Sequence, residues 1–468
     1  MFRRLNDVLR PAAPAQRDAG LSLVEVIVAM MVFTIISIGV AYTITNSLVL
    51  TRDSRARAVA TNLAAQEIDL LRSVDDVFSV VSKTFVTTVG GTTFTVERTA
   101  EWTTSATNST ACGTGTGTLQ YKRVEVSVTY AGQRTVSAPI TSATVLAPNG
   151  RINDPAKGTI VVSVIGASGA GTEGVTATVK AAAKDPNGAV APPALDPTDS
   201  SGCTYALKVA PGNYDVTISK AGMVGLDQAA TQTTTPVTVS AGGSGTASFS
   251  YDTAISLQTN FATNFPSPVV LPGNLDVTFR STVVGDYTVS AAATKPAKLF
   301  PFSGGYAVVA GKHLDPSTDP KTNVVSSCLS PDPAAWVTPA ADKAIGAAPV
   351  PVGAAPGGSA TVGVPMGVLQ LSKISGTVKV VAVQQKAGAA GDPGCLVPST
   401  YTFTAVTKDT LLALPFGTWS FYTVTDLLNL GLITSSNQVN PQDSVLRTRG
   451  SIDMPTKTIT LDPRGLTP

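Results

Sequence analysis

The segment AGLSLVEVIVAMMVFTIISIGV, residues 19–40, decides how the fold of this chain begins. Residues 26–50 contain no charged side chain, which makes an apolar run of 25 residues. As a helix this run spans about 37 Å, and the hydrocarbon core of a bilayer is roughly 30 Å thick. Glu25 stands at the start of the run with no basic residue beside it. Because a carboxylate inside a bilayer is energetically costly, we expect Glu25 to have a partner.

The residues before this run are basic and differ from a secretory signal. Four arginines stand against two aspartates in residues 1–20, so the positive-inside rule places this segment in the cytoplasm. The small pair Ala19 and Gly20 precedes the apolar run, whereas a secretory signal has its cleavage site after the run. The sequence therefore predicts a single-pass helix in the cytoplasmic membrane, with the larger part of the chain outside the cytoplasm.

The motif GLSLVE, residues 20–25, resembles the type III signal of type IV pilins and type II secretion pseudopilins. The resemblance implies that a prepilin peptidase cuts after Gly20 and methylates the new amine of Leu21, where the family usually has Phe. It also implies that Glu25 neutralises the N-terminal amine of a neighbouring subunit in a helical filament. A plain signal anchor with a stray glutamate is the alternative interpretation.

The apolar run continues into an amphipathic helix. Residues 51–73 are rich in Ala, Leu, Gln and Glu, which are good helix formers, and their apolar side chains form one stripe. In pilins the second half of such a helix packs on a small β-sheet, so the resemblance implies the same arrangement here. A coiled-coil stalk is the alternative, but the stripe is too short for sustained heptads.

The rest of the chain is rich in Thr, Val and Gly, a composition typical of β-structure. Residues 157–251 and 375–462 share one order: a strand, a tight turn containing Pro and Gly, an aromatic residue within the next strand, and a final short strand. This order predicts that Tyr214 and Trp419 point into a core. The pattern around PGNYDVTISKAG, residues 211–222, resembles the transthyretin-like β-sandwiches of carboxypeptidase regulatory-like and CnaB-type domains.

We therefore predict an α+β N-terminal pilin module, a long helix plus a small antiparallel sheet, followed by all-β transthyretin/Ig-like sandwiches. The predicted boundaries are a cytoplasmic leader peptide (1–20), a transmembrane and amphipathic pilin helix (21–73), a small β pilin head (74–147), a linker (148–156), a carboxypeptidase regulatory-like β-sandwich (157–252), a β-sandwich (253–365) and a second regulatory-like β-sandwich (366–468).

Charge and composition argue against several functions. A net charge of +2 gives no electrostatic footprint for nucleic acid, so no nucleic-acid binding is expected. His313 is the single histidine of the chain, which disfavours His-based catalytic triads. With 14% charged residues and no prominent catalytic motif, we predict no catalytic residue, no enzyme activity and no cofactor.

The loop GKHLDPSTDP, residues 311–320, carries His313, Asp315 and Asp319. One interpretation is a calcium or other metal site, because carboxylate oxygens bind hard cations. The other is a cluster of Asp and Pro turns whose side chains cap backbone amides. We favour the turn cluster and predict no metal.

Four cysteines are spread along the chain without a CxxC pair, which gives no support to a zinc or thioredoxin-type site. Outside the cytoplasm disulfides become available, and three connectivities are open. We favour Cys328 with Cys395 because both fall in the C-terminal half. A pairing of Cys112 with Cys203 is conceivable.

These observations predict a minor type IV pilin that assembles through its N-terminal helix into a pilus at the cell surface, at the tip because its tail is bulky. Expected partners are the prepilin peptidase, other pilin subunits, the assembly platform in the membrane and an extracellular surface ligand. The sandwiches would prime assembly or mediate adhesion. The alternatives are a type II secretion minor pseudopilin and, in another class, a non-polymerising membrane-anchored surface enzyme or receptor.

Overall fold

The computed structural model describes residues 22–105, 109–114, 118–133, 138–148, 154–290, 295–336, 344–386, 391–424 and 437–465. In these residues one long α-helix is followed by β-strands that pair into eight sheets, mostly antiparallel. The predicted fold class, a long N-terminal helix followed by β-sandwich structure, is confirmed.

Helix α1 comprises Leu23–Arg72 and is about 75 Å long at 1.5 Å per residue. Ser22 caps its start, because the Ser22 side chain accepts a hydrogen bond of 3.3 Å from the backbone N–H of Glu25. Residues 22–50 are all exposed in the single chain. The second half buries one stripe at spacings of four and three residues, as expected for one helix face: Ala56, Ala60, Ala64, Ile68 and Leu71.

The head that follows the helix is one sheet in the order β1-β2-β4-β5, with β3 paired to β2. Strand β4 alternates buried and less buried residues, and Val124, Val126 and Val128 are fully buried. This period of two is that of a strand with one face on a core. The strands are β1 (Lys83–Val89), β2 (Thr92–Thr104), β3 (Ser109–Thr110), β4 (Leu119–Tyr130) and β5 (Ile140–Leu146).

The first sandwich consists of two four-stranded sheets. One has the order β10-β13-β6-β8, with β6 and β13 parallel, and the other has the order β11-β9-β12 with β7 also paired to β9. Apolar residues from both sheets fill one core, including Ile160, Val216 and Tyr251. The strands are β6 (Gly158–Ile165), β7 (Thr176–Ala181), β8 (Cys203–Val209), β9 (Gly212–Ser219), β10 (Met223–Gly225), β11 (Thr231–Thr233), β12 (Val237–Val239) and β13 (Ser244–Thr253).

The C-terminal region contains five sheets around one continuous apolar core, which includes Ile255, Val362, Val368 and Trp419. The sheet orders are β17-β14-β21, β16-β15-β18, β19-β20, β25-β22-β27 and β24-β23-β26-β29-β28. The strands are β14 (Ile255–Phe261), β15 (Asp276–Ser281), β16 (Gly285–Ser290), β17 (Ala297–Leu299), β18 (Ala307–Ala310), β19 (Leu314–Thr318), β20 (Val325–Cys328), β21 (Ser359–Val364), β22 (Gly367–Leu371), β23 (Val378–Gln384), β24 (Thr400–Val406), β25 (Leu411–Leu414), β26 (Gly417–Val424), β27 (Ser444–Leu446), β28 (Gly450–Asp453) and β29 (Thr458–Leu461).

The two predicted Pro-Gly corners have the same local structure. Gly212 and Gly417 have φ angles of +153° and +137°, in the region that favours glycine. Two residues later Tyr214 and Trp419 are fully buried, as predicted. The Tyr214 hydroxyl donates to the carbonyl of Ala210 at 2.6 Å. The Trp419 indole N–H likewise donates to the carbonyl four residues earlier, at 3.0 Å. Each corner thus buries an aromatic ring while satisfying its polar atom.

Contacts divide the chain into two compact units. The first contains α1 with the segments Lys83–Thr99 and Val124–Thr144 of the head. The second contains Asp75–Ser82, Ala100–Arg123 and the residues from Val145 onward, which include the sandwiches.

Candidate functional site

The predicted processing and assembly residues lie at the start of α1. Gly20 and Leu21 lie outside the described residues, and Glu25 occupies the first turn of the helix. A carboxylate in this position interacts favourably with the helix dipole. Within the described part of this single chain, no hydrogen bond or ion pair engages the Glu25 carboxylate. Glu25 is therefore available to a partner outside the described residues.

The hydroxyl groups within the apolar half of α1 are satisfied inside the helix. Thr34, Thr43, Thr45 and Thr51 each donate to the backbone carbonyl four residues earlier, at 2.7–2.8 Å. Unsatisfied polar hydrogens are costly in hydrocarbon, so this arrangement suits an apolar surrounding. The threonines thus do not prevent this half of the helix from entering lipid.

The surface of this half is apolar all round. Its residues are mostly apolar and none of them is buried, so α1 is long and apolar enough to cross a membrane. An exposed apolar surface of this extent needs lipid or other helices as its cover. Its largest exposed side chains include Leu23, Met30, Met31, Phe33, Tyr42 and Leu48.

The second half of α1 is tied to the head by polar contacts within the first unit. The Tyr130 hydroxyl donates to the Asp53 carboxylate at 2.6 Å, and the Arg98 guanidinium pairs with Glu67 at 2.9 Å. Burial, together with the hydrogen bond to Asp53, raises the pKa of Tyr130. These contacts join the start and the later turns of the amphipathic half to the sheet.

The four cysteines form two buried disulfides. Cys112 bridges Cys203 across a sequence separation of 91, and Cys328 bridges Cys395 across a separation of 67. The first bridge joins the head loop to the first sandwich, within the second unit. Three connectivities are open from the sequence. The structure contains the pair that the sequence favours, Cys328 with Cys395, and the other pair considered there, Cys112 with Cys203. Such bridges persist in oxidising compartments.

A cluster of charged side chains surrounds the single histidine. The Nδ1 atom of His313 is hydrogen-bonded to the Asp286 carboxylate, and its Nε2 atom lies 3.9 Å from Oδ1 of Asp315. Arg280 pairs with Asp286 at 3.3 Å, with Asp315 at 3.6 Å and with Asp332. Ligand atoms of Asp286, His313 and Asp315 lie within 4.8 Å of one another.

Asp319, the third residue of the loop considered from the sequence, has a different role. Its Oδ1 atom accepts a hydrogen bond of 2.8 Å from the backbone N–H of Lys321. Hydrogen bonds, first that from the backbone of Lys321 and then that from the side chain of Thr322, lower the pKa of Asp319. Asp319 thus caps a turn, whereas Asp286 joins the cluster from strand β16. Asp286 could not be found from the sequence, because no local pattern links it to the loop.

A cavity of about 560 Å³ lies in the C-terminal region. Its described lining contains no acidic, basic or histidine side chain, so these residues offer no acid–base group. The prediction that the chain is not an enzyme stays a prediction. The lining residues are Thr263, Asn264, Val308, Pro333, Ala347, Ala348, Pro349, Val350, Val352, Thr361, Val362, Gly363, Pro365 and Gly465.

Comparison with protein families identifies the N-terminal segment. Residues 15–41 match the family model of the prokaryotic N-terminal methylation motif. The match includes Gly20, Leu21 and Glu25 and the first turns of α1. The chain therefore has a type IV pilin-type N-terminus, and the motif implies processing by a prepilin peptidase and assembly with other pilins.

Comparisons of the whole chain give weaker similarity. No curated protein matches it significantly. Among solved structures, the Bacillus anthracis TIE protein is 11% identical, over 74% of this chain and 69% of that chain, with a TM-score of 0.18. A Streptococcal ancillary pilin is also 11% identical, over 57% of this chain and 91% of that chain, with a TM-score of 0.18. Similarity at these scores carries no inference for this chain.

Proposed function

We propose that this chain is a minor pilin of a type IV pilus, anchored in the cytoplasmic membrane before assembly and displayed at the cell surface afterwards. The observation that carries the proposal is the position of the methylation motif. Residues 15–41 match it and lead directly into a 50-residue helix. The first half of that helix exposes apolar side chains, and the second half is joined to a β-sheet head.

Glu25 is the assembly residue in this proposal. Cleavage after Gly20 leaves the amine of Leu21 at the N-terminus of each subunit. The Glu25 carboxylate, unpaired within the described part of one chain, then pairs with the Leu21 amine of a neighbour. Because both charges leave water when the helices pack, the pair is geometrically demanding and fixes the register of subunits more than it stabilises them.

The bulk of the tail supports a rare position in the filament. More than 300 residues follow the head, and they form sandwich sheets around two apolar cores. A tail of this size at every subunit would crowd a tightly packed filament, so we place the chain at the tip. There the transthyretin-like modules prime assembly or bind an extracellular surface.

The test replaces Glu25 by Gln, which removes the charge and keeps the size of the side chain. The matched control is Asp69→Asn, at a carboxylate of the same helix that is 77% exposed. We expect Glu25→Gln to insert in the membrane at normal levels and to be absent from sheared pili, while Asp69→Asn enters pili normally. Normal incorporation of Glu25→Gln contradicts the pairing role.

Deletion of the gene separates pilus function from secretion. Loss of pili or of surface attachment supports the minor pilin. Loss of an exported protein from the medium, with pili unchanged, contradicts it and favours a type II secretion pseudopilin.

A further inference from the structure

Two hydrogen-bond acceptors, Nε2 of His313 and Oδ1 of Asp315, face each other with no donor between them among the described residues. The His313 side chain is 1% exposed, and its Nδ1 atom is bonded to the Asp286 carboxylate. In a neutral imidazole the nitrogen that faces a carboxylate carries the proton, so Nε2 holds the lone pair. Among the described residues Nε2 has no hydrogen-bond partner, although it is buried. The polar atom 3.9 Å away is Oδ1 of Asp315, also an acceptor.

The charge of the cluster is also unbalanced. Asp286, Asp315 and Asp332 contribute three negative charges, and Arg280 contributes one positive charge. With a neutral His313 the ion-paired cluster therefore carries a net charge of −2. A divalent cation would neutralise it, and the two acceptors that face each other mark where that cation would lie.

We propose that His313 Nε2 and the Asp315 carboxylate bind a divalent transition-metal ion, zinc being the ion that best matches an imidazole nitrogen and carboxylate oxygens. Zinc lies about 2.0–2.2 Å from such atoms, so two ligand atoms of a tetrahedral zinc site lie about 3.4 Å apart. Nε2 and Oδ1 lie 3.9 Å apart, and a small rotation of the exposed Asp315 carboxylate toward the imidazole brings them to this distance. Asp286 holds the imidazole through Nδ1, the arrangement by which carboxylates orient metal-binding histidines.

The neighbouring groups are compatible with an ion. Asp315 is 66% exposed, so its carboxylate is free to turn and water has access to the remaining coordination positions. Arg280 approaches Asp315 at 3.6 Å, which is longer than a hydrogen bond, while it holds Asp286 and Asp332 more closely. Arg280 thus holds the carboxylates of Asp286 and Asp332 in place and leaves the position beside Nε2 open to an ion.

The site would join two strand pairs of the tail. Asp286 lies on β16, and Asp315 lies on β19, which pairs with β20. Both proposed ligands thus belong to the start of the β19–β20 hairpin, and the hydrogen bond between His313 and Asp286 links the site to the β15–β16 pair. This differs from the interpretation of the loop as a turn cluster, because the orienting carboxylate comes from a strand outside the loop.

The experiment uses the untagged full-length chain in detergent, freed of metal with a chelator, and titrates Zn²⁺ by calorimetry. His313 is the single histidine, so the ¹⁵N signals of one imidazole, one for Nδ1 and one for Nε2, report its protonation and its metal binding. The test variant is Asp315→Asn, and the matched control is Asp319→Asn, a carboxylate of the same loop that caps a turn. His313→Gln is a second test variant, with circular dichroism to check its fold.

We expect one Zn²⁺ per chain, a shift of the Nε2 resonance on binding, and at least tenfold weaker binding in Asp315→Asn. Asp319→Asn should bind as the parent chain does. Three results would overturn the proposal: no Zn²⁺ binding, binding that Asp315→Asn leaves unchanged, or a metal-free His313 with protons on both nitrogens that Zn²⁺ does not displace. The last result would mean that a proton on Nε2, and not a metal ion, lies between His313 and Asp315.

Discussion

The Cys112–Cys203 disulfide gives a quantitative prediction, which the double substitution Cys112→Ala/Cys203→Ala tests. The bridge spans a sequence separation of 91, and each cysteine is 3% exposed. For a loop of this length the chain-entropy relation predicts a loss of about 4.6 kcal/mol at 25 °C. Alanine keeps the Cβ atom and adds no polar group, so the change in chain entropy dominates the expected effect.

Local packing limits the region that is destabilised when the Cys112–Cys203 bridge is removed. The rings of Phe78, Trp102 and Tyr205 lie beside one another, with centroids separated by 4.8–6.4 Å. These contacts pack the segment before β1 and the end of β2 against β8 of the first sandwich, and they do not depend on the bridge. We therefore expect the region to open more often while the native fold remains the major state.

Hydrogen exchange read by mass spectrometry on the full-length chain measures this opening. A change of about 4.6 kcal/mol corresponds to roughly a thousandfold or greater loss of protection, expected in peptides from β4 and β8. Peptides from β29 should not change. The matched control, Cys328→Ala/Cys395→Ala, removes a bridge of sequence separation 67 that stabilises by about 4.4 kcal/mol. In this control the peptides of the C-terminal region should lose protection, and those from β4 and β8 should not. Less than tenfold loss of protection in β8 would refute the reasoning.

Two further predictions concern side-chain contacts. Burial alone would raise the pKa of Asp462, but hydrogen bonds from Arg464 and Arg449 outweigh it and hold this pKa below its usual range. The ionised Asp462 carboxylate therefore stabilises the fold fully above about pH 4, and this stabilisation is lost as the pH falls through the lower folded-state pKa. In acid denaturation followed by circular dichroism, the stability of Asp462→Asn should depend less on pH in this range. Tyr130→Phe removes the hydrogen bond to Asp53 and should lower the stability of the first unit by about 1–2 kcal/mol in urea unfolding, and an unchanged midpoint would contradict that role.

Local patterns predicted the elements that depend on neighbours in sequence. The uncharged run and the stripe after it predicted α1, and the two Pro-Gly corners predicted the burial of Tyr214 and Trp419. Each of these patterns is formed by residues close to one another in sequence, along one helix or at one corner between two strands.

Long-range pairing was less accessible from one sequence. Strand β14 pairs in parallel with β21, about a hundred residues later, and no local pattern specifies that register. The cluster around His313 also depends on pairing between separated strands, because β15 pairs with β18 and so brings the β15–β16 hairpin, with Arg280 and Asp286, beside the segment of His313. Cysteine pairing had three solutions by counting, and geometry alone distinguishes them.

The mass of the natural protein's N-terminus tests the central claim most directly. The proposed function predicts that a mature chain purified from cells begins at Leu21, with a methyl group on its amine and with residues 1–20 removed. A natural protein that still begins at Met1, or an unmethylated Leu21 in assembled pili, would contradict it.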